Sequence, residues 1–420
     1  MSTVFGLDFG TTNSSLAVLR DGNVEVLEID PLSSSKKSLK SVLFFDEEGE
    51  FFVGQEAINH YLEMGGEYCR FMRSIKTFLP SKTFEKTYVF GKKYRIEDLI
   101  SIILKEIKKR GENHVGHPVE DVVIGRPVIF SSDKERDNLA ERRLKTSAEK
   151  AGFKNIRFQY EPIAAALSCE KDLKNGEERL VFMGDFGGGT SDFTVMRQIG
   201  GCIEKRDRKK DVLSIGGINI AGDVFDSLVM KNKVAQYFGR DIQYKGMTGD
   251  WLRMPQWIIN TLCQWHLIPQ LRKSMEFIQR LQITADDKKT AKNLERLIRE
   301  NLGFAVMQSI EKAKCEISSE KSSKIIFEDG DIKIRDDFSR IEFESIISEE
   351  IAKIKCCIEE TLLNAGISSE DTEKVIITGG SSFIPRIRNL FVDIFGENKL
   401  EAVNAFTSVA YGLAITASVI

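Results

Sequence analysis

Histidine is scarce in this 420-residue chain: four residues, at positions 60, 114, 117 and 266, with no metal-ligand spacing. A histidine-built metal centre is therefore not expected. Cysteine is thin as well, with seven residues at 69, 169, 202, 263, 315, 356 and 357. None forms a Cys-x-x-Cys pair, and the odd count argues against a disulfide framework. They read as reduced thiols of a cytoplasmic protein. Cys356 and Cys357 fall in a helical stretch and are expected to be buried packing. No apolar run is long enough to span a bilayer. The opening "MSTVFGLDFG" enters a core-like strand with no basic segment before a long apolar one, so no signal peptide is expected. The formal charge is only −3, which points away from a nucleic-acid surface.

What is present is an ordinary globular composition, 42% hydrophobic and 29% charged. The length allows two to four domains with real cores. "TVFGLDF", "SLAVLR" and "VEVLEI" are strand-like, and Asp21-Gly22 marks a hairpin. "SSSKKSLK" reads as a mobile, solvated connection. "EDLISIILKEIKKR" puts Leu99, Ile102, Ile103 and Ile107 on one helical face. "DVVIGRPVIF" reads as a buried strand. The helix after it opens with a capping box, Ser132 with Glu135, and closes at Gly152. Strands resume at "RLVFMGDF", "SDFTVMRQIG" and "CIEKRD", followed by a solvated tip, "RDRKKD". Residues 223 to about 318 read as almost wholly helical, a lid packed around Trp251, Trp257 and Trp265. Strands alternate with helices in both halves, which predicts an α/β fold with mixed sheets.

One pattern occurs twice. "GLDFGTTNSS" spans Gly6 to Ser15, and "MGDFGGGTSD" spans Met183 to Asp192. In each, an apolar strand delivers an aspartate to a turn of small residues and threonine. Glycines let backbone N–H groups converge, which makes a nest for phosphate oxygens. An aspartate beside phosphate needs an intervening cation. Asp8 and Asp185 therefore imply Mg²⁺, held mainly through its waters. Two such hairpins facing across a cleft would clamp a nucleotide's phosphates from both sides, and the doubling suggests two related lobes. A third element, "VIITGGSSFIPRIRNLF", runs from a strand through Gly379, Gly380 and Ser381 into a helix with Pro385 in its first turn.

These pieces, in this order, resemble the ATPase domain of the heat shock protein 70 family, typified by DnaK. The two hairpins look like that family's phosphate loops, and "VIITGGSSFIPRI" its adenosine loop. "YEPIAAAL" resembles the connecting segment, "SIKTFL" places Lys76 at the catalytic lysine, and "IEKAKCEIS" resembles the nucleoside helix. The resemblance implies an actin-like ATPase fold of duplicated ribonuclease H-like lobes with an enlarged helical subdomain. The lobes would span 1–177 and 178–400, with the insert at about 223–318. Residues 401–420 would return to the first lobe as a helix like "VAYGLA". It implies slow Mg²⁺-dependent hydrolysis of ATP to ADP, with nucleotide-driven lobe closure.

The implied roles follow by position. Asp8, Gly10, Thr11, Thr12 and Asn13 contact phosphate, Mg²⁺ or K⁺. Lys76 holds the attacking water. Glu161 and Asp185 order the waters of Mg²⁺. Gly187, Gly188, Gly189 and Thr190 wrap the phosphates, and Thr190 and Asp192 orient the nucleophile. Gly222 and Asp223 complete the nucleotide cradle. Glu311, Lys314, Ser318, Gly379, Gly380, Ser381 and Phe383 form the nucleoside pocket.

Departures from the family pattern are specific. Cys315 and Phe383 stand where two arginines usually sandwich adenine, and an expected potassium-ligating aspartate is replaced around Phe406. The chain ends where an apolar linker and a peptide-binding domain would follow, so the usual coupling to a clamped peptide is not expected. The short, insert-bearing form looks like YegD-like members. Partners implied are ATP and an unidentified protein client, with no nucleic acid and no membrane. The alternative is a nucleotide-gated partner-binding module with little or no hydrolysis. A sugar kinase fits less well, because Lys76 and "YEPIAAA" match the chaperone pattern; an actin-like filament is a further reading of the same fold.

Overall fold

The computed structural model describes residues 3–64, 69–167, 173–201, 208–402 and 407–417. Cys169, Cys202, Phe406 and the strand expected at 202–207 lie outside them. Two sheets organise the chain. The first has six strands and runs Asn155–Tyr160, Asp121–Arg126, Val4–Phe9, Asn13–Arg20, Asn23–Val26, with Leu39–Lys40 added beside Asn13–Arg20. The second has five and runs Val212–Ile218, Ser191–Ile199, Glu178–Phe186, Lys374–Thr378, Leu400–Ala402.

The two sheets repeat one plan. In each, the motif-bearing strand forms an antiparallel hairpin with the next strand and pairs in parallel with a later one. Asp8 and Asp185 occupy the same place, one residue before their strand's end. Both strands are buried, as continuous apolar runs covered by helices require. Asp21 at φ 51° and Gly22 at φ 79° make the expected tight hairpin. Helix Ile96–Val115 buries Leu99, Ile103 and Ile107, with Ile102 at the margin.

The closing helix Ser408–Ala417 lies on the first sheet and on helix Glu161–Leu167. Its small residues allow backbone contact. A Cβ on Gly412 would stand 1.7 Å from the Ala164 carbonyl oxygen, and one on Gly6 2.4 Å from the Ala414 nitrogen.

Several local expectations are corrected. Helix Lys134–Lys150 is capped by Asp133, whose carboxylate accepts from the Glu135 and Arg136 N–H groups, not by a Ser132–Glu135 box. A carboxylate one residue later meets the same orphan donors. The region after Gly222 is not wholly helical: Gln243–Lys245 and Trp251–Arg253 form an antiparallel hairpin. Only Trp265 is buried there, whereas Trp251 and Trp257 are about half exposed, at 51% and 49%. Cys356 is exposed and Cys357 half-buried, because they fall toward the outer side of helix Ser348–Ala365. The serine-rich segment is folded back rather than free. Ile29 and Asp30 both donate to the Lys36 carbonyl, and Ser38 donates to that of Ser35.

The largest apolar cluster crosses the molecule. Phe44, Ile58 and Tyr61 from the first half share it with Trp265, Ile268 and Val306 from the second. No described helix is long and apolar enough to cross a membrane.

Candidate functional site

The two repeated turns meet at one cleft of about 780 Å³. Its phosphate-loop wall carries Asp8, Gly10, Thr11, Thr12 and Asn13 on one side, and Asp185, Gly187, Gly188, Gly189, Thr190 and Asp192 on the other. Lys76 and Glu161 stand between them, and Gly222 and Asp223 lie alongside. Glu311, Lys314, Ser318, Gly379, Gly380, Ser381 and Phe383 line the rest. Every candidate residue therefore borders a single space.

The turns touch. A Cβ on Gly188 would lie 2.1 Å from Thr12 Oγ1. Thr12 Oγ1 is itself buried without a hydrogen-bond partner. A buried hydroxyl left unsatisfied costs about 1–3 kcal/mol, so it is poised to take a ligand oxygen. The Asp223 N–H donates to the Gly188 carbonyl at 2.7 Å, and Ser381 Oγ donates to that of Gly187 at 3.3 Å. These bonds tie three separate segments into one cradle.

Lys76 sits on a single tight turn, Ile75–Phe78, entered by Ser74 at φ 54°. A non-glycine residue there costs about 1–2 kcal/mol. Thr77 Oγ1 braces it by donating to the Ser74 carbonyl. Lys76 Nζ donates to Glu161 Oε1 at 2.7 Å. Burial pulls the Lys76 pKa down, but the Glu161 and Asp8 carboxylates outweigh it and the group is raised. Lys76 is therefore a permanent cation.

The carboxylates show the opposite strain. Burial, then Glu161, pushes Asp8 up to about 8. Asp185 is raised by burial and Glu161, although Thr378 Oγ1 donates to it at 2.8 Å. Asp192 is pushed up to about 6 by burial, then by Asp185, while Thr190 Oγ1 donates to its Oδ2 at 2.9 Å. Converging acids that resist ionisation mark a place built for added positive charge. The donor set, hard oxygens beside an orphaned hydroxyl, fits Mg²⁺ and phosphate. Among the described residues, no group of three or more His, Cys, Asp or Glu is placed to hold a metal directly.

At the other end, Lys314 Nζ donates to Asp226 Oδ2 at 2.8 Å, and Ser318 Oγ to the Lys314 carbonyl. Phe383 and Cys315 are exposed in the cleft wall, where a planar base can lie against a ring. Sequence reasoning missed several neighbours: Ser33, Ser34, Ser35, Ser38 and Lys40 from the serine-rich segment, Asn219, and Asp226. Asp226 lies one turn beyond Gly222 and Asp223 on helix Gly222–Val229, a spacing that could have revealed it. Arg73 was missed too. It donates to Asp223 Oδ2 at 2.8 Å, and its guanidinium lies 5.4 Å from the Trp265 ring centre.

A family model described as Hsp70 protein matches residues 4–248 and 276–420. The chaperone protein DnaK of Thermosipho melanesiensis is 27% identical over 424 residues, covering 99% of this chain and 59% of the relative. That of Thermosipho africanus is also 27% identical, with the same coverage. That of Mycoplasmopsis agalactiae is 28% identical over 425 residues, covering 99% of this chain and 58% of the relative. The chain thus spans about three-fifths of the length of these relatives. The unmatched stretch, 249–275, contains all three tryptophans.

Proposed function

The chain belongs to the Hsp70 family and has its actin-like ATPase fold, and from that premise we propose that it binds ATP with Mg²⁺ and hydrolyses it slowly, its lobes closing on the nucleotide. The observation that carries this reading is the pair of aspartate-tipped turns in contact across one cleft, with Lys76 held between them by Glu161. Phosphoryl transfer to water needs positioning and charge neutralisation rather than a covalent nucleophile, and this site offers those two things.

Asp8 and Asp185, with Glu161, would hold Mg²⁺ largely through its waters. The ion would neutralise phosphate charge and so lower the barrier. The N–H groups of Gly187, Gly188, Gly189 and Thr190, with Thr11, Thr12 and Asn13 opposite, would grip phosphate oxygens. The Lys76 ammonium would stand at the γ-phosphate and the attacking water. Thr190 already donates to one Asp192 oxygen, which leaves the other free to accept from that water. Water adds to the γ-phosphorus, the bond to the ADP oxygen breaks, and the water's proton leaves toward Asp192. Ribose and base would lie by Glu311, Lys314, Ser318, Gly379, Gly380, Ser381 and Phe383. K⁺ near Asp8, kinship to YegD-like members, a cytoplasmic setting and a protein client belong to the same proposal.

Single-turnover hydrolysis of γ-labelled ATP tests it. Lys76→Ala and Asp192→Asn should still bind ATP, and turnover should fall about 100-fold, the scale of losing one preorganised stabilising group. Unchanged rates in both would sink the role assignments. Wild-type protein that binds without hydrolysis would instead favour the nucleotide-gated module.

A further inference from the structure

The whole-chain charge of −3 averages over a local excess of the opposite sign. Between Lys82 and Arg95 the sequence carries five cations and one acid, Glu85, interleaved with Phe84, Tyr88, Phe90 and Tyr94. Lys86–Val89 and Lys92–Arg95 pair there as an antiparallel hairpin. Its register divides the side chains between two faces. Thr87, Val89 and Tyr94 share the inner face. Val89 and Tyr94 are buried, and the Tyr94 ring centre lies 5.2 Å from that of Phe45. Lys86, Tyr88, Lys93 and Arg95 share the outer face, and all four are exposed. The hairpin is thus anchored from below, and none of its residues lines the nucleotide cleft.

Two features of the outer face work against stability. Lys86 stands directly opposite Arg95, and like charges so placed repel. Among the described residues no carboxylate forms an ion pair with Lys86, Lys93 or Arg95. Asp98, the acid that accepts the Arg95 backbone N–H, pairs with Lys150 instead. The second feature is the two-residue turn, Phe90-Gly91, with φ 46° and 78°. Such a turn favours Asn-Gly, and a bulky residue in the left-handed region is strained. Phe90 nevertheless occupies it, 47% exposed, two residues from Tyr88 at 61%. Backbone strain and unbalanced charge at one solvent-facing spot point to a ligand surface rather than to a folding role.

The ligand that fits is anionic and offers flat faces. We propose that the outer face of this hairpin binds single-stranded nucleic acid, with Tyr88 and Phe90 as stacking platforms and Lys86, Lys93 and Arg95 on the phosphates. A single strand uses both kinds of residue: its phosphates meet the cations, and its unpaired bases stack on the rings without regard to sequence. An acidic peptide would use the cations and leave the rings idle. A lipid surface needs an apolar anchor, and Phe90 alone at the tip gives only marginal attachment. A duplex keeps its base faces hidden from the rings.

Fluorescence anisotropy of the whole chain with a labelled oligothymidylate tests it. The logarithm of affinity should fall against the logarithm of salt with a slope of about −2, the value for three phosphate contacts. The double variant Lys86→Ala/Lys93→Ala should bring that slope to about −0.7. Tyr88→Leu keeps an apolar side chain but no ring, and should weaken binding about tenfold at unchanged slope. Phe90→Asn relieves the turn, so its melting temperature should hold or rise while binding falls, which separates recognition from folding. Saturating Mg²⁺-ADP should leave binding unchanged. Displacement by Mg²⁺-ADP would put the strand in the nucleotide cleft and overturn the proposal. Equal affinity for a duplex or for polyglutamate overturns it too, as does binding to phosphatidylserine vesicles but not to the oligonucleotide. So does a Tyr88→Leu protein that melts and binds like the wild type.

Discussion

Gly188 illustrates how much one position decides. Its missing side chain is what lets the second turn touch Thr12 of the first. Gly188→Ala should leave thermal unfolding nearly unchanged, because the turn lies at the cleft surface, yet weaken ADP binding at least about tenfold by pushing the turns apart. Calorimetry on the folded variant checks this. Asp192 gives a pH signature. Its pKa of about 6 lies above the ordinary carboxylate value, so it is protonated below that pH and cannot accept from water. Single-turnover hydrolysis should therefore fall as pH drops through about 6, and Asp192→Asn should flatten the profile. At this scale legibility was uneven. Asp8 and Asp185 stood out because their pattern repeats. Lys76 and Glu161 carry no local signal and emerged only through family resemblance. Lys40 and Asp226 were missed because their meaning lies in partners 271 and 88 residues away.

Elements were read well where periodicity ruled and less well where packing did. The two hairpins and helix Ile96–Val115 followed from apolar spacing and turn residues. The serine-rich segment defied its composition because Asp30 and Lys36 close it into a loop against the cleft. Trp251 and Trp257 defied the usual burial of tryptophan: on a short hairpin and a short helix each stays about half exposed, and Trp251 has the Lys245 ammonium 5.4 Å from its ring centre. The closing helix offers the sharpest test. Gly412→Ala puts a methyl where only 1.7 Å separates Cβ from a backbone oxygen. Such overpacking should cost about 1–3 kcal/mol, measured by urea unfolding.

The whole molecule is bridged by aromatic contacts from the two halves. Trp265 lies 5.4 Å from Phe71, 6.0 Å from Tyr61 and 4.7 Å from Phe304, ring centre to ring centre. Arg73 joins this group to Asp223 at the cleft. Trp265→Ala should cost about 3–5 kcal/mol of stability, as for other buried tryptophans. Release of a fluorescent ADP should also quicken, about tenfold for each 1.4 kcal/mol lost from the closed form. An unchanged release rate would show that this contact does not restrain the proposed closure. Sequence reasoning found the duplication but not the bridge, since the bridge joins residues about 200 apart and its central Trp265 sits in a stretch the family model does not match.

The two sheets repeat one plan, yet the copies differ at one telling rung. Opposite Asp8 the paired strand offers Ser15; opposite Asp185 it offers Asp192. At this rung only the second half supplies an acid, so the two walls of the cleft differ in chemistry although their strands pair by the same plan. A nucleophile guided by that one acid meets phosphorus from one side and the leaving oxygen departs from the other. Hydrolysis of a γ-thiophosphate labelled with oxygen isotopes should therefore invert the configuration at phosphorus, the signature of one in-line displacement by water; retention would mean a covalent intermediate on the protein.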